Sequence, residues 1–485
     1  QALDVQLLKE NHICGIRQEK LDLRACEYKL RIIAKTSELV EIRVALMENG
    51  IEDTNGSTYS FTLHPGNWQK ENFSIHIPKA GMYSLSITFS KRARVTFGVL
   101  SMLPFDHFHG MRRDVIECMK EIGISMLRWP GGNFAGEYRW QDGLLDADER
   151  APLEAYMENE TQPYTNGYDY NEVGIDEFIA LCREIGAEPF LTINLANASP
   201  EENAAWVEYC NGADDTRYGK LRAQRGHKDA YQVRYWSLGN EMGYGHMEGP
   251  MTPGQYVMLA RRHMRAMLDV SPDLQLFSSG PYPSEEWGTK SAKELAENVK
   301  YASLHHYTYV PLDYSSDEAA KNTCQAIMDA PKEAYRLIKE MRTCLGNNIH
   351  ISFDEWNCWY AWYRPSSAAE GLYAAGMLQL FLNESNAMDM PVCCYFQPIS
   401  EGAIEIKGNH CRLTATGQVF SMLKAHCGGS LCPSLKNNSV AATIKDNILT
   451  ISMIHTGQEE PRVFKIQIRG DLLDAKLLST DSLLP

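Results

Sequence analysis

Several things are missing from this 485-residue chain, and each absence removes a class of function. Its longer apolar runs are broken by charges well before the ~20 residues that a membrane-spanning helix needs. Basic residues are outnumbered, 47 Lys and Arg against 62 Asp and Glu. The resulting charge of −15 argues against a nucleic-acid or anionic-membrane partner. The 13 cysteines follow no repeated short spacing. Cys118, Cys182, Cys393 and Cys394 sit in apolar contexts and read as reduced, buried thiols, which points toward an intracellular, cytoplasmic compartment. Neither His305-His306 nor His107 with His109 has the HExxH spacing of a zinc site, and Gly131-Gly132 lacks the frame of a phosphate-binding loop. There is no GxSxG nucleophile elbow. The reading therefore expects neither metal nor organic cofactor. A secretory leader pattern is also absent at the start, and Gln1 in place of Met reads as a processing boundary.

What is present changes grammar twice along the chain. Residues 1–95 alternate apolar and polar positions, as in Tyr28-Lys-Leu-Arg-Ile-Ile-Ala and Met82-Tyr-Ser-Leu-Ser-Ile-Thr-Phe, with Asn-Gly and Pro-Gly between runs. That period of two reads as an N-terminal antiparallel β-sandwich. Its aromatics Trp68 and Tyr83 suit either a sugar-binding face or the core, and large apolar fillers favour the core. From 96 to 428 helical patterns alternate with short apolar strands, the signature of a (β/α)8 TIM barrel. Seven such strands are legible, and one long helical region spans about 317–344. The first barrel strand is either Arg94-Val-Thr-Phe-Gly-Val-Leu or lies upstream of Gln1. Residues 429–485 alternate again (Val440-Ala-Ala-Thr-Ile, Ile448-Leu-Thr-Ile-Ser-Met-Ile, Val463-Phe-Lys-Ile-Gln-Ile) and read as a short C-terminal β-sandwich.

In a barrel of this kind, chemistry sits where strands end. In order, those ends read Arg128-Trp-Pro-Gly-Gly-Asn133, Asn194, Asn240-Glu241, Ser279, His305-His-Tyr307, Asp354-Glu355-Trp356 and Gln397. A ring of amides, hydroxyls and aromatics suits a hydroxyl-rich ligand, because each sugar OH stripped of water must find a partner. Glu241 and Glu355 end two separate strands. Such a pair supports acid/base and nucleophilic work, one carboxyl group holding a proton for the leaving oxygen while the other stays ionised. Trp359, Tyr360, Trp362 and Tyr363 follow the second glutamate and read as core or as a stacking surface for a sugar ring.

The runs Arg128-Trp-Pro-Gly-Gly-Asn-Phe, Glu137-Tyr-Arg-Trp-Gln-Asp-Gly143, Trp206-Val-Glu-Tyr-Cys-Asn-Gly, Tyr218-Gly-Lys-Leu-Arg-Ala-Gln-Arg-Gly-His227, Tyr235-Trp-Ser-Leu-Gly-Asn-Glu241 and Asp354-Glu-Trp-Asn-Cys-Trp-Tyr360 together resemble glycoside hydrolase family 51. Its members are mostly α-L-arabinofuranosidases with their two glutamates on barrel strands four and seven. The similarity runs from about 97 to 430, and the N-terminal sandwich resembles the carbohydrate-binding-like domain inserted in the larger members. The resemblance implies a retaining hydrolase that releases terminal α-L-arabinofuranosyl residues from polymers such as arabinan or arabinoxylan. It implies Glu241 as acid/base and Glu355 as nucleophile, with Asn240, Asn133, Tyr307 and Gln397 contacting the sugar. Trp359 matches a pocket wall, and Arg128 a barrel-floor arginine near the nucleophile. A carbohydrate is the implied partner, and homo-oligomers are common in the family. The family's glutamate at the end of the first barrel strand has no match here, since 97–103 offers Ser101 and Met102. That departure keeps a related endoglucanase or galactofuranosidase, or a catalytically silent sugar-binding barrel, as alternatives.

Overall fold

A computed structural model describes residues 2–9, 12–48, 51–52, 58–154, 168–243, 251–280, 285–359, 366–399, 402–432, 439–456 and 471–479. The chain divides into two compact units, residues 1–116 with 406–411, and residues 117–405 with 412–485.

The first unit is a β-sandwich. Its strands are β1 (Leu3–Leu7), β2 (Cys14–Leu23), β3 (Glu27–Thr36), β4 (Val40–Glu48), β5 (Ile51–Glu52), β6 (Thr58–Leu63), β7 (Gln69–His76), β8 (Gly81–Phe89) and β9 (Ala93–Pro104). They form one sheet in the order β1-β9-β3-β7 and another, β2-β8-β4-β5, with β6 on β4. Alternation decides which side chains go inward. Leu30 and Ile32 of β3 meet Ile42 and Val44 of β4 in one buried cluster, while Lys29 and Arg31 point away from it. Tyr83 is buried in this core and donates to the Lys79 carbonyl at 2.7 Å. Trp68 departs from the expectation of core burial and is 46% exposed. It lies across Gly98, where a Cβ would come within 2.9 Å of the ring, and under the Lys35 ammonium at 4.8 Å.

The segment 94–100, one of the two places considered for the first barrel strand, belongs to β9, paired antiparallel with β1 and β3. Its pattern explains this. Val95 and Phe97 are buried while Arg94 is exposed and Thr96 half-buried, the mark of a one-sided strand; barrel strands are covered on both faces. The sandwich therefore continues past the expected boundary at 95, to Pro104.

The second unit holds β10 (Met126–Trp129), a short hairpin of β11 (Leu153–Glu154) and β12 (Tyr168–Asp169), then β13 (Glu188–Thr192), β14 (Tyr235–Ser237), β15 (Gln275–Ser278), β16 (Val299–Thr308), β17 (His350–Cys358) and β18 (Val392–Tyr395). The seven strands other than the hairpin form one parallel sheet in sequence order, a nearly closed barrel. Among the described residues β10 and β18 are its edges, and no eighth strand pairs with them. The helices are α1 (Arg113–Ile122), α2 (Ile175–Ile185), α3 (Pro200–Asn211), α4 (Arg217–Gln224), α5 (Pro253–Val270), α6 (Glu285–Leu295), α7 (Asp317–Asp329), α8 (Pro331–Leu345), α9 (Ala368–Met388) and α10 (Ala415–Leu423). Ser199, Thr252 and Ser367 begin α3, α5 and α9 with reciprocal capping boxes to Glu202, Gln255 and Glu370. The helical region expected at about 317–344 consists of two helices, because Pro331 has no N–H to continue α7 and takes the first turn of α8.

The hairpin β19 (Ile404–Lys407) and β20 (His410–Leu413) follows, then an antiparallel sheet of β21 (Ser430–Leu431), β22 (Val440–Lys445) and β23 (Ile448–Met453). Gln379 and Asn383 on α9 donate at 3.1 Å to the Ser452 and Val440 carbonyls. This sheet thus meets a helix face, and the strand expected at 463–468 lies outside the described residues.

Candidate active site

The barrel brings most of the strand-end residues together. Gly239 (φ 84°) and Glu241 (φ 46°) are both left-handed, so the chain turns sharply after β14. The turn is braced from behind. Met242 N–H donates to Ser279 Oγ at 3.2 Å, Ser279 N–H to Tyr256 Oη at 2.7 Å, and that hydroxyl to the Leu238 carbonyl at 3.1 Å. Ser279 is thus a support for the turn. Asn194 is similarly engaged in structure, donating to the Tyr138 carbonyl and accepting from Asn197 N–H.

Glu355, on β17, is buried and held at both oxygens. Arg128 Nη1 donates to Oε1 at 2.6 Å and Tyr307 Oη to Oε2 at 2.7 Å. The other end of the Arg128 fork donates to Asn240 Oδ1 at 2.7 Å, and Asn240 Nδ2 donates to Asn133 Oδ1 at 3.3 Å. One guanidinium thus sets the positions of two strand-end side chains from strands that are not paired with each other, β14 and β17. Tyr307 meets Trp359 edge-on at 5.7 Å and Phe396 at 5.9 Å. Gln397 follows Phe396, whose carbonyl accepts from Asn357 at 2.6 Å. Trp359 is 39% exposed, a placement suited to a pocket rim. Tyr360, Trp362 and Tyr363 lie outside the described residues.

His305 and Asp354 complete the arrangement; in sequence they stand out only as part of a histidine pair and as a neighbour of Glu355. Ser303, His305 and Tyr307 occupy alternate positions of β16 and so share a face, a signal the period of two carries. His305 Nδ1 lies 2.7 Å from Glu241 Oε1 and 3.5 Å from Glu355 Oε2, and Nε2 lies 3.4 Å from Asp354 Oδ1. Ser303 Oγ donates to the same Asp354 oxygen at 2.7 Å. Burial opposes a charge on His305, but Glu355, Asp354 and Glu241 outweigh it and raise its pKa to about 10. Burial would likewise raise the Asp354 carboxyl, yet His305 and Arg128 hold it below the usual carboxylate range. One donor atom each of Glu241, His305 and Glu355 lie within 4.8 Å of one another. A cation could use that spacing, but an imidazolium has no lone pair to offer a metal, so the protonated ring is better read as a countercharge.

This combination of a parallel barrel with two facing carboxylates at strand ends, flanked by arginine, tyrosine and amides, defines a glycoside-hydrolase type of site. Comparison with known proteins narrows the class. Residues 118–322 match the alpha-L-arabinofuranosidase 1 domain. A probable alpha-L-arabinofuranosidase C of Aspergillus terreus is 30% identical over 321 residues, covering 61% of each chain. An intracellular exo-alpha-(1->5)-L-arabinofuranosidase of Streptomyces lividans is 33% identical over 264 residues, 52% of this chain and 38% of that one. The alpha-L-arabinofuranosidase of Thermotoga maritima, solved with arabinose, superposes with a TM-score of 0.58 at 28% identity, covering 71% of this chain and 75% of that one. The relatives it resembles are thus named as α-L-arabinofuranosidases, and one solved structure among them, from Thermotoga petrophila RKU-1, is described as a GH51 enzyme. The chain spans 61% of the length of the first curated relative.

Proposed function

We propose that the protein is a retaining α-L-arabinofuranosidase that removes terminal arabinofuranosyl residues from arabinose-containing glycans. The observation that carries this reading is the pair Glu241 and Glu355, with one oxygen of each within 4.8 Å. Retaining enzymes hold their two carboxyl groups ~5–5.5 Å apart, whereas inverting ones leave ~6.5–9.5 Å for a water. In the first step Glu241 gives its proton to the glycosidic oxygen as the bond from that oxygen to the anomeric carbon breaks. A carboxylate oxygen of Glu355 attacks the same carbon and forms a glycosyl ester, with the aglycone leaving as an alcohol. In the second step Glu241 takes a proton from water, the hydroxide adds to the anomeric carbon, and the ester opens to restore Glu355. Arg128 and Tyr307 keep the attacking carboxylate aimed, Asn240 and Asn133 serve sugar hydroxyls, and His305 steadies Glu241.

Relatives named as intracellular exo-alpha-(1->5) enzymes point to short 1,5-linked arabinan fragments as substrates and to action inside the cell. Thirteen cysteines without a disulfide agree with a reducing compartment. Proton NMR of the first product from an aryl α-L-arabinofuranoside tests the mechanism. The α-anomer should appear first; initial β-arabinofuranose would refute retention.

A further inference from the structure

The turn after β10 sorts its side chains onto two faces. Asn133–Gly136 form a single 3-10 turn that Glu137 closes, its N–H donating to the Phe134 carbonyl at 3.0 Å. Tyr138 N–H donates to the same carbonyl at 3.0 Å, so residues four apart come to share a face. Phe134 and Tyr138 are one such pair. Their ring centroids lie 5.9 Å apart, and both pack into the core around Trp206. Asn133 and Glu137, each one place earlier, are the other pair, and Asn133 meets Asn240 beside the Glu355 site. Glu137 therefore stands one turn, roughly 6 Å, further along the face that carries Asn133. Among the described residues no hydrogen bond or ion pair takes up its carboxylate. The cation nearest in sequence, Arg139, reaches Glu202 instead, at 3.6 Å. Yet Glu137 is only partly exposed, a poor setting for a charge with no partner to bind.

The backbone fixes which side of the cleft this carboxylate occupies. Asn197 Nδ2 donates to the Gly136 carbonyl at 2.8 Å and Asn194 Nδ2 to that of Tyr138 at 3.1 Å, tying the turn across the end of β13. β13 pairs with β14, the strand that leads to Glu241. In the reaction proposed above Glu241 touches the oxygen that departs, so the leaving group lies on this side. We propose that Glu137 contacts the sugar from which arabinose is cleaved, its carboxylate accepting hydrogen bonds from that sugar's hydroxyls. This rests on the arabinofuranosidase reading and adds a residue that selects the leaving group. An ionised carboxylate offers two acceptor oxygens and no donor, so it suits the paired hydroxyls of a sugar ring. An aryl alcohol brings no such hydroxyls and gains nothing from it.

Steady-state kinetics of the whole chain on α-1,5-linked arabinobiose and on 4-nitrophenyl α-L-arabinofuranoside test this. Glu137→Ala should lower kcat/KM on the disaccharide by about tenfold or more, from the usual strength of hydrogen bonds to charged groups. The loss on the aryl glycoside should be far smaller, so the ratio of the two constants shifts. Glu137→Gln, whose amide oxygen still accepts, should recover part of the loss on the disaccharide and serves if the alanine variant misfolds. A structural role would lower both substrates together and would not be rescued in this selective way. Three results would overturn the proposal: equal losses on both substrates, no loss on the disaccharide in either variant, or a wild type that splits the aryl glycoside and refuses the disaccharide. A wild type inactive on both would instead refute the arabinofuranosidase reading, and the proposal with it.

Discussion

Two buried carboxylate clusters in the barrel unit use similar parts and end differently. Asp176 on α2 accepts from Tyr209 at 2.8 and 3.1 Å, from Tyr231 at 2.7 Å and from Arg225 Nε at 2.9 Å. Every one is a well-formed hydrogen bond, and the set is complete without a ligand. Around Glu355 two cations, Arg128 and His305, face three carboxyl groups. Among the described residues, Arg128 Nε, His305 Nε2 and Asp354 Oδ2 are buried without a well-formed hydrogen bond. Three carboxyl groups thus share two cations at this site. A closed network fixes structure, whereas an unbalanced one is poised for a reacting charge.

That contrast can be broken by substitution. The largest effect belongs to Glu355→Ala, which should cut kcat by at least about three orders of magnitude while the melting temperature stays near wild type. Glu241→Ala should cost about 10²–10⁴-fold on natural linkages, the usual worth of proton transfer, and far less on aryl substrates with good leaving groups. Equal losses on both would remove Glu241 from the acid role. His305 should show itself through pH. Its folded pKa of about 10 stands above the usual 6.5, so the stability it contributes is full below the lower value and is lost as pH rises through the upper one. Denaturant midpoints followed across that window should fall in the wild type and flatten in His305→Gln. The reverse pattern belongs to the other cluster. Asp176→Asn should cost about 2–3 kcal/mol, the scale of hydrogen bonds to a charged group, with kcat/KM unchanged. Tyr231→Phe should cost about half that, read from the same midpoints.

Much of this was legible before folding. Glu241, Glu355, Arg128, Asn240 and Tyr307 all end apolar runs, and the barrel gathers them because parallel strands point their C-terminal ends the same way. The imidazolium of His305 was not legible, because its charge comes from Glu241, Asp354 and Glu355, 64, 49 and 50 positions away. The placement of 94–100 was left open between two alternatives, though its alternation already marked a strand with one wet face. Trp68 failed for a different reason, since only the register of β9 shows that Gly98 opens a seat for the ring outside the core.

The left-handed backbone of Glu241 has a consequence for how this site can change over generations. A residue with a Cβ held at φ 46° is disfavoured by about 1–2 kcal/mol relative to ordinary helix or strand geometry. Glycine, asparagine or aspartate would relax that tension, so drift toward a firmer fold pulls away from glutamate. Under the proposed mechanism, selection for turnover holds the glutamate there, and a lineage freed from it should lose this side chain early while keeping the barrel that displays it.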